Sequence, residues 1–180
     1  MTASKESVRT IDINQGLGEI QANIHKKHRK KDLVLLGVSE HGYCLAKRLA
    51  SRLANVYEDP IPVGQLATAL YVPYQSHKED HIRLSSSIVP CSLKNKRVIL
   101  IDTVLTSGRT VAAALNALSD YDEAQCIELA VLLDTQQTIY PISADYIYQT
   151  LSLQEGQYVD CKLYELDGEE KVSIKTTQNV

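Results

Sequence analysis

Short, uninterrupted apolar runs separated by segments of helical periodicity are the feature that most restricts the fold of this 180-residue chain. Three such runs, at residues 33–38, 98–101 and 129–133, are typical of strands buried on both faces. After Gly42, apolar residues recur at the spacing of one helix face. Strands that alternate with helices form a mostly parallel sheet covered by helices on both faces. Ligands of such sheets bind at the carboxyl ends of the strands.

Further elements follow from weaker patterns. Residues 17–24 have the spacing of a short amphipathic helix. Additional strands are expected at residues 63–71, 146–147, 158–166 and 171–174. The length favours a single domain over residues 1–180, with a core at about residues 33–150.

Composition and charge exclude several classes of protein. The apolar runs are far shorter than the roughly 18 residues of a membrane span, and residues 1–12 lack the apolar block of a signal peptide. We therefore expect a cytoplasmic domain without membrane contact. A net charge of −3 argues against a generally basic nucleic-acid binder but leaves a local basic patch open.

The metal-ligating residue types show no convincing metal-site spacing. The four cysteines lie far apart without a C-x-x-C pair, so reduced thiols are expected rather than a zinc ribbon or a redox centre. His77 and His81 have the i, i+4 spacing that holds a metal on a helix. The polar run around them after Pro73 favours a loop, and no metal site within the protein is predicted.

The strongest single segment is the end of the second apolar run. The strand stops near Asp102, and a loop of small and hydroxyl residues opens a helix. Backbone N–H groups and hydroxyls of Thr106, Ser107, Gly108 and Thr110 would stand at the positive end of the helix dipole, which suits a phosphate. The alternative is an ordinary N-cap, in which Thr106 or Ser107 caps the helix and binds nothing. Spacing alone favours neither interpretation.

A family resemblance favours the first interpretation. The segment Ile-Asp-Thr-Val-Leu-Thr-Ser-Gly-Arg-Thr at 101–110 resembles the phosphoribosyl-pyrophosphate (PRPP) signature of type I phosphoribosyltransferases. Similarity runs from about residue 33 to 147 and is greatest to the bacterial pyrimidine operon attenuation regulators, a family that also has uracil phosphoribosyltransferase activity. The resemblance implies a type I phosphoribosyltransferase fold, with a mostly parallel sheet flanked by helices, a flexible hood loop at about 71–90 and short C-terminal strands. It also implies self-association into a homo-oligomer.

The resemblance also implies roles for residues at matching positions. Ribose binding falls to Asp102 and Thr103. Phosphate binding falls to Thr106, Ser107, Gly108, Arg109 and Thr110, and the pyrophosphate loop is Ser39, Glu40, His41 and Gly42. The implied ligand is PRPP or a nucleoside monophosphate, with Mg²⁺ as the partner of PRPP.

The departures from the family pattern fall at the diphosphate and base ends of the site. Thr103 replaces the second acidic residue, and Glu40 stands in a loop that carries an arginine in the relatives. Loss of one charge-assisted hydrogen bond costs about 1.5–3 kcal/mol. The basic stretch expected after Asp134 is uncharged, the start of the hood at 71–74 lacks the basic residue expected there, and Tyr148 would alter the base pocket. We therefore predict weak or lost uracil phosphoribosyltransferase activity; the alternative is an active nucleobase phosphoribosyltransferase.

A basic run follows the first predicted helix. Its cationic residues are Lys26, Lys27, Arg29, Lys30 and Lys31. The resemblance to the attenuation regulators makes an RNA-binding patch one interpretation, since phosphate contacts dominate such binding. The other is a solvated helix end, where cations favour the dipole. We favour the second because no aromatic residues interleave with the charges for stacking on bases.

Overall fold

The computed structural model describes residues 7–8, 11–28, 32–68 and 86–176. The elements in these ranges are β1 (Ser7–Val8), α1 (Ile13–Lys27), β2 (Leu33–Gly37), α2 (Glu40–Tyr57), β3 (Val63–Gln65), β4 (Arg97–Leu105), α3 (Arg109–Leu118), β5 (Cys126–Asp134), β6 (Tyr146–Thr150), β7 (Gln157–Lys162), α4 (Tyr164–Asp167) and β8 (Lys171–Thr176). Most of the expected hood loop, including His77 and His81, lies outside the described residues. The single-domain assignment over 1–180 stays a prediction.

Five strands form a parallel sheet in the order β3-β2-β4-β5-β6. In its register Gly37 of β2 lies opposite Ile101 of β4, and Asp102 of β4 lies opposite Val131 of β5. Strands β1, β8 and β7 form a separate antiparallel sheet. The predicted fold class is therefore confirmed. The expected strand at 158–166 is shorter than predicted: β7 ends at Lys162, and a turn of helix, α4, follows.

Helices cover both faces of the parallel sheet. Leu17 of α1 and Leu49 of α2 belong to the core on one face, and Val111 of α3 belongs to the core on the other. Because β2 has a core on each side, all five of its residues are buried, which explains its uninterrupted apolar run. No helix in the described part of the chain combines the length and apolar character that a membrane crossing requires.

The chain leaves the neighbouring strands β2 and β4 in opposite directions. After β2 it crosses one face of the sheet as α2 and returns as β3; after β4 it crosses the other face as α3 and returns as β5. The carboxyl ends of β2 and β4 therefore lie between two diverging connections. This point is the usual ligand position in open α/β sheets.

Candidate functional site

The first loop of the site lies between β2 and α2. Ser39 is the N-cap of α2, and its hydroxyl oxygen accepts a hydrogen bond of 3.0 Å from the Gly42 N–H. A Cβ atom at position 42 would lie 2.3 Å from the carbonyl oxygen of Ile101, so only glycine allows this approach of α2 to β4. The predicted pyrophosphate loop is therefore the first turn of α2, placed directly against the end of β4.

Asp102 lies at the junction of the two strands and is only 7% exposed. Its Oδ1 accepts hydrogen bonds from the Thr103 N–H at 2.8 Å and from the Ser39 hydroxyl at 3.5 Å. Burial raises the pKa of Asp102 to about 6, although both hydrogen bonds act in the opposite direction. Near neutral pH this carboxyl group can therefore exchange a proton.

The second loop joins β4 to α3. Gly108 is the N-cap of α3 with φ +81°, a left-handed conformation that side-chain-bearing residues rarely adopt, and it makes no side-chain cap. The Ser107 hydroxyl accepts a weak 3.4 Å hydrogen bond from the Arg109 N–H. Neither Thr106 nor Ser107 is the N-cap residue, so the ordinary-cap alternative is wrong at both positions. Thr106 and Arg109 are exposed, and Thr110 is partly buried.

The segment after β5 holds this second loop in place. The buried hydroxyl of Thr135 donates to the Leu105 carbonyl at 3.2 Å, and the Thr135 N–H donates to the same oxygen at 3.0 Å. The Ile139 N–H donates to the Ser107 carbonyl at 3.0 Å. Sequence reasoning found no role for Thr135 or Ile139, because these contacts span about thirty residues and leave no periodic signal.

The two loops follow β2 and β4 at the same edge of the sheet, and the buried Asp102 carboxyl group is hydrogen-bonded to the first of them through Ser39. A family model for the phosphoribosyl transferase domain matches residues 8–166 of the chain. The chain belongs to this phosphoribosyltransferase family. The family resemblance identified from the sequence is thus confirmed.

Curated relatives of this phosphoribosyltransferase are named bifunctional protein PyrR. One, from Enterococcus faecalis, is 34% identical over 171 residues, covering 94% of this chain and 96% of the relative. Another, from Deinococcus radiodurans, is 37% identical over 176 residues, covering 97% and 96%. The chain is therefore a phosphoribosyltransferase-family protein of the pyrimidine-regulator type.

Solved structures share the fold of this phosphoribosyltransferase at low identity. A hypoxanthine-guanine phosphoribosyltransferase from Bacillus anthracis has a TM-score of 0.67 at 11% identity, with 98% of this chain and all of that chain covered. A hypoxanthine phosphoribosyltransferase from Staphylococcus aureus has a TM-score of 0.60 at 18% identity, with 99% and 93% covered. At such identities the likeness concerns the fold.

The helical turn α4, which the sequence analysis missed, contacts the first loop. Asp167 of α4 lies 3.0 Å from His41, from its Oδ2 to the imidazole Nε2. The same Oδ2 accepts a 2.7 Å hydrogen bond from the Leu163 N–H. Although partial burial raises the pKa of Asp167, these two partners hold it below its ordinary value. The only sequence signal was the acidic composition of 165–170, which resembles a solvated turn.

Two of the departures from the family pattern have a clear structural place. Glu40 is exposed in the first turn of α2, so its charge stands at the mouth of the crevice. The Tyr148 ring instead packs against Gly16 of α1 and Leu132 of β5, where a Cβ at position 16 would lie 2.6 Å from the ring. Core packing, and not a ligand cavity, accounts for the size of this side chain.

The structure describes only the beginning of the predicted RNA patch. Lys26 is exposed on the last turn of α1. Lys27 is paired with the buried Glu128, from Nζ to Oε1, at 2.9 Å and with Asp145 at 3.5 Å. Arg29, Lys30 and Lys31 lie outside the described residues. Lys27 therefore has a structural partner within the fold.

In the part of the chain that the structure describes, side chains alone do not form a Mg²⁺ site. Within the described ranges, no three His, Cys, Asp or Glu side chains come together in a way that could hold a metal ion. Asp102 lies within β4 beside the neutral Thr103, so the position where the family signature has a second carboxylate holds a hydroxyl group. Family members use Mg²⁺ together with PRPP, and at this site the ion would depend on the oxygen atoms of the ligand.

Proposed function

We propose that this protein binds a 5′-phosphoribosyl ligand, PRPP or a nucleoside monophosphate, in the crevice between the carboxyl ends of β2 and β4. The observation that carries the proposal is the start of α3 at Gly108, in the loop that follows β4 and its buried Asp102. Backbone N–H groups at such a helix start, together with the helix dipole, favour a phosphate group.

Each part of the crevice has its role in this proposal. The 5′-phosphate binds to the loop Thr106, Ser107, Gly108, Arg109 and Thr110. Asp102 and Thr103 face the ribose hydroxyls, and Ser39, Glu40, His41 and Gly42 adjoin the position of a diphosphate. Mg²⁺ accompanies PRPP and is carried by it.

We further propose that uracil phosphoribosyltransferase activity is weak or lost. Catalysis in such a site depends on electrostatic stabilisation of the departing diphosphate. Here the loop next to the diphosphate carries the exposed Glu40, and its His41 is already paired with Asp167. Weak diphosphate stabilisation would slow transfer while leaving monophosphate binding possible.

Calorimetry with uridine monophosphate (UMP) and with PRPP, each with and without Mg²⁺, tests the proposed site. Thr106→Asp places a carboxylate in the phosphate loop and is expected to weaken UMP binding at least tenfold, since repulsion of like charges adds to a lost contact. Asn116→Asp adds the same charge at the exposed far end of α3 and should leave UMP binding unchanged. Equal effects of both variants, or no UMP binding by the unmodified protein, would refute the proposed site.

Release of pyrophosphate that depends on uracil, PRPP and Mg²⁺ tests the activity. We expect UMP binding without appreciable turnover. Rapid turnover would instead establish the alternative, an active nucleobase phosphoribosyltransferase with the same fold.

RNA binding is a second candidate function, favoured by the exposed Lys26 at the start of the basic run. Its test is the salt dependence of binding to a pyrimidine-operon leader RNA. Contacts to phosphates make affinity fall steeply with salt, and replacing Lys26, Lys30 and Lys31 together with alanine should reduce that slope. An unchanged slope would assign the run to a solvated helix end.

Self-association and a cytoplasmic location complete the proposal. Leu115, Tyr121 and Ile127 are exposed apolar side chains that line one groove of about 460 Å³ beside α3. A surface of this kind suits contact with a second copy. Sedimentation equilibrium should show a species larger than 20.0 kDa, and a strictly monomeric protein would remove this part of the proposal.

A further inference from the structure

The acidic turn α4 and the residues just after it are fastened to the first half of α2. Besides the contact of Asp167 with His41, the Arg48 guanidinium donates two hydrogen bonds to Glu165, at 2.8 and 2.7 Å. Glu170 contacts the same guanidinium at 2.6 Å. The cationic Arg48 of α2 is thus already neutralised by carboxylates of the same chain, and His41 is hydrogen-bonded to a third carboxylate.

The remaining polar groups of the first loop are engaged or carry the wrong sign for an anion. The Ser39 hydroxyl accepts from the Gly42 N–H and donates towards Asp102. Glu40 adds an exposed carboxylate. A diphosphate that entered this loop would be repelled by Glu40, and it would have to displace Asp167 before it contacted the imidazole of His41.

The second loop offers a contrast. Among the described residues, its carbonyl oxygens accept hydrogen bonds from the Ile139 N–H and from the N–H and hydroxyl of Thr135. These donors are uncharged. Arg109 is exposed at the helix start and has no carboxylate among its described contacts. A monophosphate therefore enters this loop without displacing an internal anion.

From this asymmetry we infer that the site selects nucleoside monophosphates over 1-diphosphates such as PRPP, with Asp167 as the residue that determines the selection. The inference rests on the proposed function. Asp167 acts as an internal anion on the imidazole that a diphosphate would use. PRPP must compete with it for one charge-assisted hydrogen bond, whereas UMP leaves the contact intact.

The variant Asp167→Asn tests the inference. Its amide oxygen can still accept from the Leu163 N–H, so the turn keeps its internal hydrogen bond. Glu169→Gln is the matched control, because it removes the same charge two residues further on, where the partner is Lys162 at 2.6 Å. Each protein is titrated calorimetrically with UMP and with PRPP in Mg²⁺ at pH 6.

The expected result for Asp167→Asn is PRPP binding that is about tenfold tighter, with UMP binding unchanged. Glu169→Gln should change neither affinity more than about twofold. Adding His41→Gln to Asp167→Asn should abolish the gain, because the released imidazole is its source. If Asp167→Asn unfolds, Asp167→Ser, whose hydroxyl oxygen can also accept from the Leu163 N–H, replaces it in the same titrations.

Two outcomes would overturn the inference. These are an equal PRPP to UMP affinity ratio in Asp167→Asn and Glu169→Gln, or a gain in PRPP affinity that survives His41→Gln. Either of them with UMP still bound leaves the proposed function standing. A protein that binds neither ligand would refute the proposed function, and the inference with it.

Discussion

Replacing Glu128 with glutamine should lower stability in a way that depends on pH. The Glu128 side chain on β5 is 8% exposed. It lies 2.9 Å from the Lys27 ammonium and 2.7 Å from His28 Nε2, and it accepts a 2.8 Å hydrogen bond from the Tyr146 hydroxyl. Burial raises the pKa of Glu128, but these three partners outweigh burial and lower it from 4.5 to about 2.

The difference in pKa sets the magnitude. The difference between a pKa of 4.5 in the unfolded chain and one of about 2 in the folded protein corresponds to about 3 kcal/mol of folding free energy. Because the pKa is lower in the folded state, this contribution is complete above about pH 4.5. It is lost as the pH falls from there towards 2, and about 2 kcal/mol of it is gone by pH 3.

Urea unfolding at pH 7 and pH 3 measures the effect. At pH 7, Glu128→Gln should reduce the free energy of unfolding by about 3 kcal/mol, and at pH 3 the gap should narrow to about 1 kcal/mol. Glu155→Gln, at an exposed position, should change little at either pH. A gap of the same size at both values would refute the reasoning, because the carboxylate charge would then not be its source.

Three further predictions concern the site. Burial of Asp102 raises its pKa to about 6, so its contribution to the free energy of unfolding is present below about pH 3.8 and is lost as the pH rises through 6. At pH 7, Asp102→Asn should therefore raise the free energy of unfolding in urea by about 1–3 kcal/mol. The same variant should weaken UMP binding in calorimetry. Gly42→Ala should lower the melting temperature by several degrees because its Cβ would overlap a backbone oxygen of β4, whereas Gly18→Ala, with its nearest atom at 4.0 Å, should raise it. Thr135→Val should lower the free energy of unfolding in urea by about 1 kcal/mol, because the hydrogen bond to the Leu105 carbonyl is lost, and it should reduce UMP affinity. An unchanged UMP affinity would show that this hydrogen bond does not position the loop at 106–110 for the ligand.

Local sequence determined most of the elements. The apolar run at 33–38 marked β2 because a strand with a core on each face can be apolar throughout. Gly108 marked the start of α3 because its left-handed backbone requires a residue without a side chain. The run at 98–101 showed only part of β4, which continues to Leu105 because β5 remains its partner beyond the apolar stretch.

Only the tertiary structure decided how the charged residues are used. His28 meets Glu128 across 100 positions of sequence, and His41 meets Asp167 across 126. In sequence these residues belong to a basic run, a loop and an acidic turn, each of which resembles a solvated surface. An ion pair depends on distance in space, which the order of the strands and the docking of the second sheet set. No spacing along the chain encodes that distance, so the contact that we infer to select the ligand could be recognised only in the folded molecule.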